Sequence, residues 1–193
     1  MQLKRLLAFL SLSLCWLSTA TATVVEPLDL ATLAAESSHV VHGRVGHVYT
    51  VPERGPRGEI YTQAEISVVQ YIIGDGPSQL VVQQLGGQLG EWRMVLSGNA
   101  EFRPGAEVVV FLDADPERGL HYVVGLAQGL FTVDRSGAYP NLTRDLTGLS
   151  FYLAEPVPYR PVEIELELGR LIHLVRPTVT GPDGSNGFGG ELR

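Results

Sequence analysis

Between residues 39 and 133 the chain alternates apolar and polar positions with a period of two. A helical period shows only on the flanks. Asp29 to Ser37 (DLATLAAES) suits a short helix, capped by Asp29, with Leu30, Leu33 and Ala34 on one face. His39 to Val51 is valine-rich and reads as a long strand. Gly43 and Gly46 inside it are expected to mark a bulge or a sharp coil. A polar loop, Pro52 to Gly58, leads to a second long strand, Ile60 to Ile73. Ile60, Thr62, Ala64, Ile66, Val68, Gln70 and Ile72 are expected to share one of its faces. Gly74 to Pro77 is a turn, and Gln79 to Leu85 is a third strand ended by Gly86-Gly87.

The pattern continues with a short strand around Trp92 to Leu96 and a buried-looking one from Glu107 to Leu112. Shorter runs follow at His121 to Val124 and Leu130 to Val133. Tyr139 to Thr143 and Leu149 to Leu153 suggest a further hairpin. Pro156, Pro158 and Pro161 forbid regular structure locally. A C-terminal helix is expected from about Val162 to the residue before Pro177, since Leu168, Leu171, Ile172 and Val175 stand at helical spacing. Five or six strands separated by turn signals predict a mainly β fold. We expect a small five-stranded barrel with a short N-terminal helix and a C-terminal helix; a β-sandwich is the alternative.

Residues 1–22 read as a signal peptide. Lys4 and Arg5 supply positive charge, Leu6 to Leu17 is a short apolar run, and Ala20-Thr21-Ala22 is a small-residue cleavage site. The apolar run is shorter than the ~20 residues a membrane span needs, so membrane insertion is not expected. Cleavage near Ala22 predicts an exported protein, periplasmic or extracellular. Residues 23–176 would form a single domain, and the glycine-rich 177–193 a flexible tail. The one cysteine, Cys15, leaves with the signal, and with it go disulfide and thiolate chemistry. What remains holds 12 arginines, no lysine and 21 acidic side chains, a net charge of −9. That balance argues against nucleic acid, whose phosphates are bound by clustered Lys and Arg.

The order of a short helix, SSHVVHGRV, IYTQAEISVVQYIIGDGP and PGAEVVVFL resembles the netrin-like domain family, which includes the tissue inhibitors of metalloproteinases. GLAQGLF, IYT and QQLGG are also similar to uncharacterised exported bacterial proteins. The family resemblance implies an OB-type five-stranded barrel. In the metalloproteinase inhibitors the family implies zinc chelation by an N-terminal cysteine. Here the expected mature chain starts Thr23-Val24-Val25 and has no cysteine, so that role transfers to no residue.

The catalytic and metal motifs are weak. His39 and His47 are eight residues apart, about 26 Å on a strand, and His42 faces the other way. Asp113, Asp115 and Glu117 have the odd-position spacing of a calcium loop, but Arg118 and Val124 stand where Gly and Glu belong; a hairpin turn explains them better. The GGQLG run at residues 86–90 lacks the helix and Lys that a phosphate cradle requires. No catalytic residue, metal or cofactor is therefore expected. What the sequence does offer is strand aromatics flanked by arginines: Tyr61, Trp92 with Arg93, and Phe102 with Arg103. Loops at Pro52–Gly58 and Gly86–Trp92 would add contacts. The expectation is a non-catalytic binding module for a protein or peptide. The alternative is a protease inhibitor acting through a loop, and an unrecognised hydrolase is the weakest reading. The oligomeric state is left open.

Overall fold

The computed structural model describes residues 22–52, 58–152 and 166–176. The expected signal peptide up to Thr21, the core of the Pro52–Gly58 loop, the helix start at Val162 and the tail from Pro177 lie outside the described residues.

The chain is mainly β. Strand β1 (Thr23–Val25) is followed by helix α1 (Leu30–Ala35), then β2 (His39–Pro52), β3 (Ile60–Ile73) and β4 (Gln79–Leu85). A small hairpin, β5 (Gly87–Leu89) and β6 (Trp92–Met94), precedes β7 (Glu107–Asp115) and β8 (Leu120–Val123). After a 3₁₀ turn at Leu126–Gly129 come β9 (Leu130–Asp134), β10 (Asn141–Thr143), β11 (Leu149–Phe151), β12 (Leu166–Glu167) and helix α2 (Leu168–Val175). Among the described residues no helix is long and apolar enough to cross a membrane.

Five strands close on themselves. β2 pairs antiparallel with β3, β3 with β4, and β2 with β7; β7 pairs antiparallel with β8, and β8 returns parallel to β4 through Val82 and His121. β7 also pairs with β9, from which β10 and β12 extend the sheet away from the ring. Closure removes free edges, the standing hazard of a β-sheet.

The run Glu107-Val-Val-Val-Phe-Leu112 is buried on both faces because β7 lies between two cores. Val108, Val110 and Leu112 point into the ring with Val41, Val45, Ile66 and Val82. Val109 and Phe111 point outward, beneath Leu33 of α1 and Leu171 and Val175 of α2. Helix α1 starts where Asp29 accepts the Thr32 backbone N–H at 2.8 Å, as its sequence predicts. The glycines of β2 fall beside register shifts at His42/Gly43 and between Val45 and Val48.

Three expectations change. The alternation of β3 places Ala64, Ile66 and Val68 inside, but the β2–β3 register shifts reverse its parity. Tyr71 then packs with the barrel interior and Ile72 joins the helix side. Tyr139–Thr143 and Leu149–Leu153 do not form a hairpin: β10 pairs with β9 and β12, while β11 runs parallel to β1. Leu166 and Glu167 are strand, because β10 has an edge that they complete, and the helix begins at Leu168.

The N-terminal segment is tied to the body by Gln128, which is 2% exposed. Its Oε1 accepts from the Leu28 N–H at 2.8 Å, and its Nε2 donates to the Glu26 carbonyl at 3.1 Å. Gln128→Leu leaves both backbone groups without this partner and is expected to cost about 2 kcal/mol. Urea unfolding measures it, together with faster amide exchange at Leu28.

Candidate functional site

Once β4 ends, the β5–β6 hairpin is built by turn chemistry. Gly90 takes φ 59° at the first central position of a two-residue turn, and Glu91 occupies the second. That conformation favours glycine and matches the twist of the flanking strands. At the base, a Cβ on Gly87 would lie 2.8 Å from Thr62 Oγ1 and 2.9 Å from Thr50 Cγ2, so only glycine lets the hairpin lie against β2 and β3. The base is pinned further. The Gly86 N–H donates to the Ile60 carbonyl at 2.7 Å, Thr62 Oγ1 to the Gly86 carbonyl at 2.8 Å, and Asn99 Nδ2 to the Leu85 carbonyl at 2.6 Å.

Rigid at its base, the hairpin presents apolar side chains at its tip. Leu89 and Trp92 are cross-strand partners, so they share a face. Trp92 is 78% exposed and Leu89 39%; Val95 and Leu96, also exposed, follow after β6 ends at Met94. Isolated exposed apolar residues are ordinary, but a mostly exposed tryptophan beside an exposed leucine on one face of a pinned hairpin suits a contact surface. The opposite face is polar, with Arg93 paired across to Gln88.

The five residues singled out in the sequence do not converge. Trp92 and Arg93 share β6. Tyr61 is half-buried on β3 opposite Leu85, with its hydroxyl donating to Glu59 Oε2 at 2.8 Å. Phe102 is 7% exposed in the barrel core, which holds its ring away from any partner. Arg103 donates to Glu101 Oε2 at 2.8 Å. It lines a separate cleft of about 160 Å³ with Arg144, Asp145, Thr132 and Thr143 over Val108 and Leu130. Leu89 falls within the Gly86–Trp92 segment expected to add contacts, which the structure forms as the β5–β6 hairpin rather than a loop. The signal was there in part: a Gly-Glu turn between Leu89 and Trp92 makes those two residues neighbours.

The histidines disperse. The His39 ring lies 5.5 Å from His121 and 5.9 Å from Tyr71, whereas His47 meets Tyr49 at 6.3 Å. Burial pushes the His121 pKa below the usual histidine value, opposed by its bond to the Val81 carbonyl. Among the described residues no three His, Cys, Asp or Glu side chains converge as a metal site. The acidic run at Asp113–Glu117 holds the β7–β8 turn, with Asp115 Oδ1 accepting the Arg118 N–H at 3.1 Å.

His42 belongs to an ion network on the outer face of the barrel. Glu107 receives Arg135 in a bidentate pair, Nε to Oε2 at 2.7 Å and Nη2 to Oε1 at 2.5 Å. His42 Nε2 stands 2.7 Å from Oε1, and since a carboxylate only accepts, that nitrogen carries the proton. Arg135 is the main cause that holds the Glu107 pKa down at about 2, against the opposing effect of burial, with His42 assisting. A carboxyl depressed in the folded state stabilises above its unfolded pKa and loses that stabilisation as pH falls toward the folded value. Wild-type stability is therefore expected to drop between about pH 4.5 and pH 2, by ~2 kcal/mol after allowance for solvent screening. Glu107→Gln starts lower at neutral pH and shows a flatter acid limb. Urea midpoints measured across that range check both features.

No family model, curated protein or solved structure matches the chain.

Proposed function

We propose that the chain is an exported, non-catalytic binding module that engages a protein or peptide partner through the β5–β6 hairpin. The observation that carries this reading is Trp92, 78% exposed on a hairpin whose base is fixed to the barrel. Tryptophan is the residue type most enriched among binding hot spots, and a rigid base lowers the entropy cost of docking it. The netrin-like relationship belongs to the same proposal. It is supported by the leading helix, the closed five-strand ring and the trailing helix. Export is supported by the charged start, short apolar run and Ala-Thr-Ala site of residues 1–22.

A photo-crosslinking residue placed at position 92 tests the site. The control is position 69, where Val69 is 66% exposed on β3. Adducts to a protein from position 92, and none from 69, are the expected result. Equal labelling from both positions contradicts it.

A further inference from the structure

The five-strand ring closes at its thinnest point, and a pair of histidines stands there. Strand β8 holds to β7 through four residue pairs, from Leu112–Val123 to Asp115–Leu120, but to β4 through Val82–His121 alone. His121 adds a side-chain link across the same seam: its Nδ1 donates to the Val81 carbonyl at 3.4 Å, a long bond. Its ring meets that of His39, on β2, edge-on at 5.5 Å between centroids. Burial holds the His121 pKa below the usual histidine value; the Val81 bond opposes this, and the charge of His39 adds to it.

The His39 ring is fixed in place. Its Nε2 donates to the Asp75 carbonyl at 3.1 Å, and its Nδ1 lies 3.0 Å from Ser38 Oγ, which also accepts the Ala114 N–H at 2.8 Å. A Cβ on Gly74 would lie 2.6 Å from its Cδ2, so the ring rests against the turn after β3. A protonated His39 keeps both partners, with Nδ1 donating to Ser38 Oγ. The elements packed on His121 present no charge to it: β4 brings Val81 and Val82, and β7 brings Ala114. Asp113 and Asp115 pair with Tyr122 and Leu120, so alternation turns them to the other face of the sheet. Tyr71, 5.9 Å from His39, stays neutral, because burial and then the Asp75 charge push its pKa above the usual tyrosine value.

We propose that the β4–β8 seam is an acid-sensitive joint: as pH falls across the range in which histidine gains its proton, charged His39 and His121 repel, and β8 parts from β4 while its pairing with β7 holds. The His39 ring has no room to retreat against Gly74, whereas β8 is held on the β4 side by one residue pair, so β8 is the element that moves. The open form binds protons more tightly than the closed one. The seam is therefore fully stable above the histidine range and loses stability as pH falls through it. Parting bares a strand edge on β4 and another on β8. Glu107, with its pKa held at about 2, stays ionised throughout this window.

Amide exchange of the full chain at about pH 7.5 and pH 5, each corrected for the intrinsic rate at that pH, tests this. Amides that bridge the seam, within residues 81–83 and 120–122, are expected to lose protection roughly tenfold at the lower pH, while those of the β2–β7 pairs Val40–Phe111 and Val41–Val110 keep theirs. His121→Gln is expected to abolish the loss. His39→Gln is expected to shrink it and to move the His121 titration, followed by NMR, up toward the usual histidine value. Wild-type protection at the seam that is equal at both pH values, a loss shared equally by the β2–β7 pairs, a loss that persists in His121→Gln, or a His121 titration unmoved by His39→Gln would each overturn the proposal. Should either variant lose protection already at pH 7.5, the wild-type comparison and the other variant decide.

Discussion

Phe111→Ala is expected to destabilise the fold by about 4 kcal/mol. Phe111 is fully buried on the outward face of β7, between the sheet and the two helices. Its ring lies 5.8 Å from that of Phe131, tilted by 53°, and the guanidinium of Arg144 sits 4.9 Å over Phe131. Truncation removes the ring from Leu33 and Leu171 together, and strand and helices cannot both move in to refill the space. Domains of this size hold only ~5–15 kcal/mol in total, so a loss of this size is a large share of stability. At about 2–4 °C per kcal/mol, the melting midpoint should fall by roughly 8–16 °C. Calorimetry of wild type and variant measures it. A loss below about 1 kcal/mol would mean that α1 and α2 are not packed on β7 as a second core.

Trp92→Ala is expected to do the opposite: to leave stability within about 0.5 kcal/mol and to remove most of the binding. The side chain is mostly in solvent, so its loss leaves no cavity and no unpaired buried group. A central aromatic anchor at an interface contributes at least ~2 kcal/mol, which corresponds to a weakening of about thirtyfold. Arg93→Ala should cost less, because a charge contact from so exposed a side chain to a partner is screened by solvent. Titration calorimetry at two salt concentrations separates the two, since only the Arg93 contribution declines with ionic strength.

Much of the fold was legible because alternation, glycine and turn residues act locally. Asp29 capped the helix it precedes, and Gly43 fell beside a break in strand register. The β3 face reversal was not legible. It depends on which β2 residue each β3 residue meets, and register is decided by the partner strand rather than by the strand's own sequence. The parallel pairing of β1 with β11 was hidden for the same reason, since it joins segments at opposite ends of the domain. For the candidate site, residue type alone could not separate Trp92 from Phe102. Both are aromatics next to an arginine, and burial in the ring sorts them into surface and core. The pairing of His42 and Glu107 was out of reach, because the two meet only when β2 lies against β7.

Trp92 is the only tryptophan outside residues 1–22, so in residues 23–193 alone its fluorescence reports on this hairpin. Trp92 emission of residues 23–193, followed as a partner identified by crosslinking from position 92 is added, tests the hairpin most directly. A spectrum typical of water-exposed indole is expected in the dilute free chain, with a shift to shorter wavelength that saturates with binding. Binding detected by calorimetry while the emission stays that of an exposed indole would contradict it.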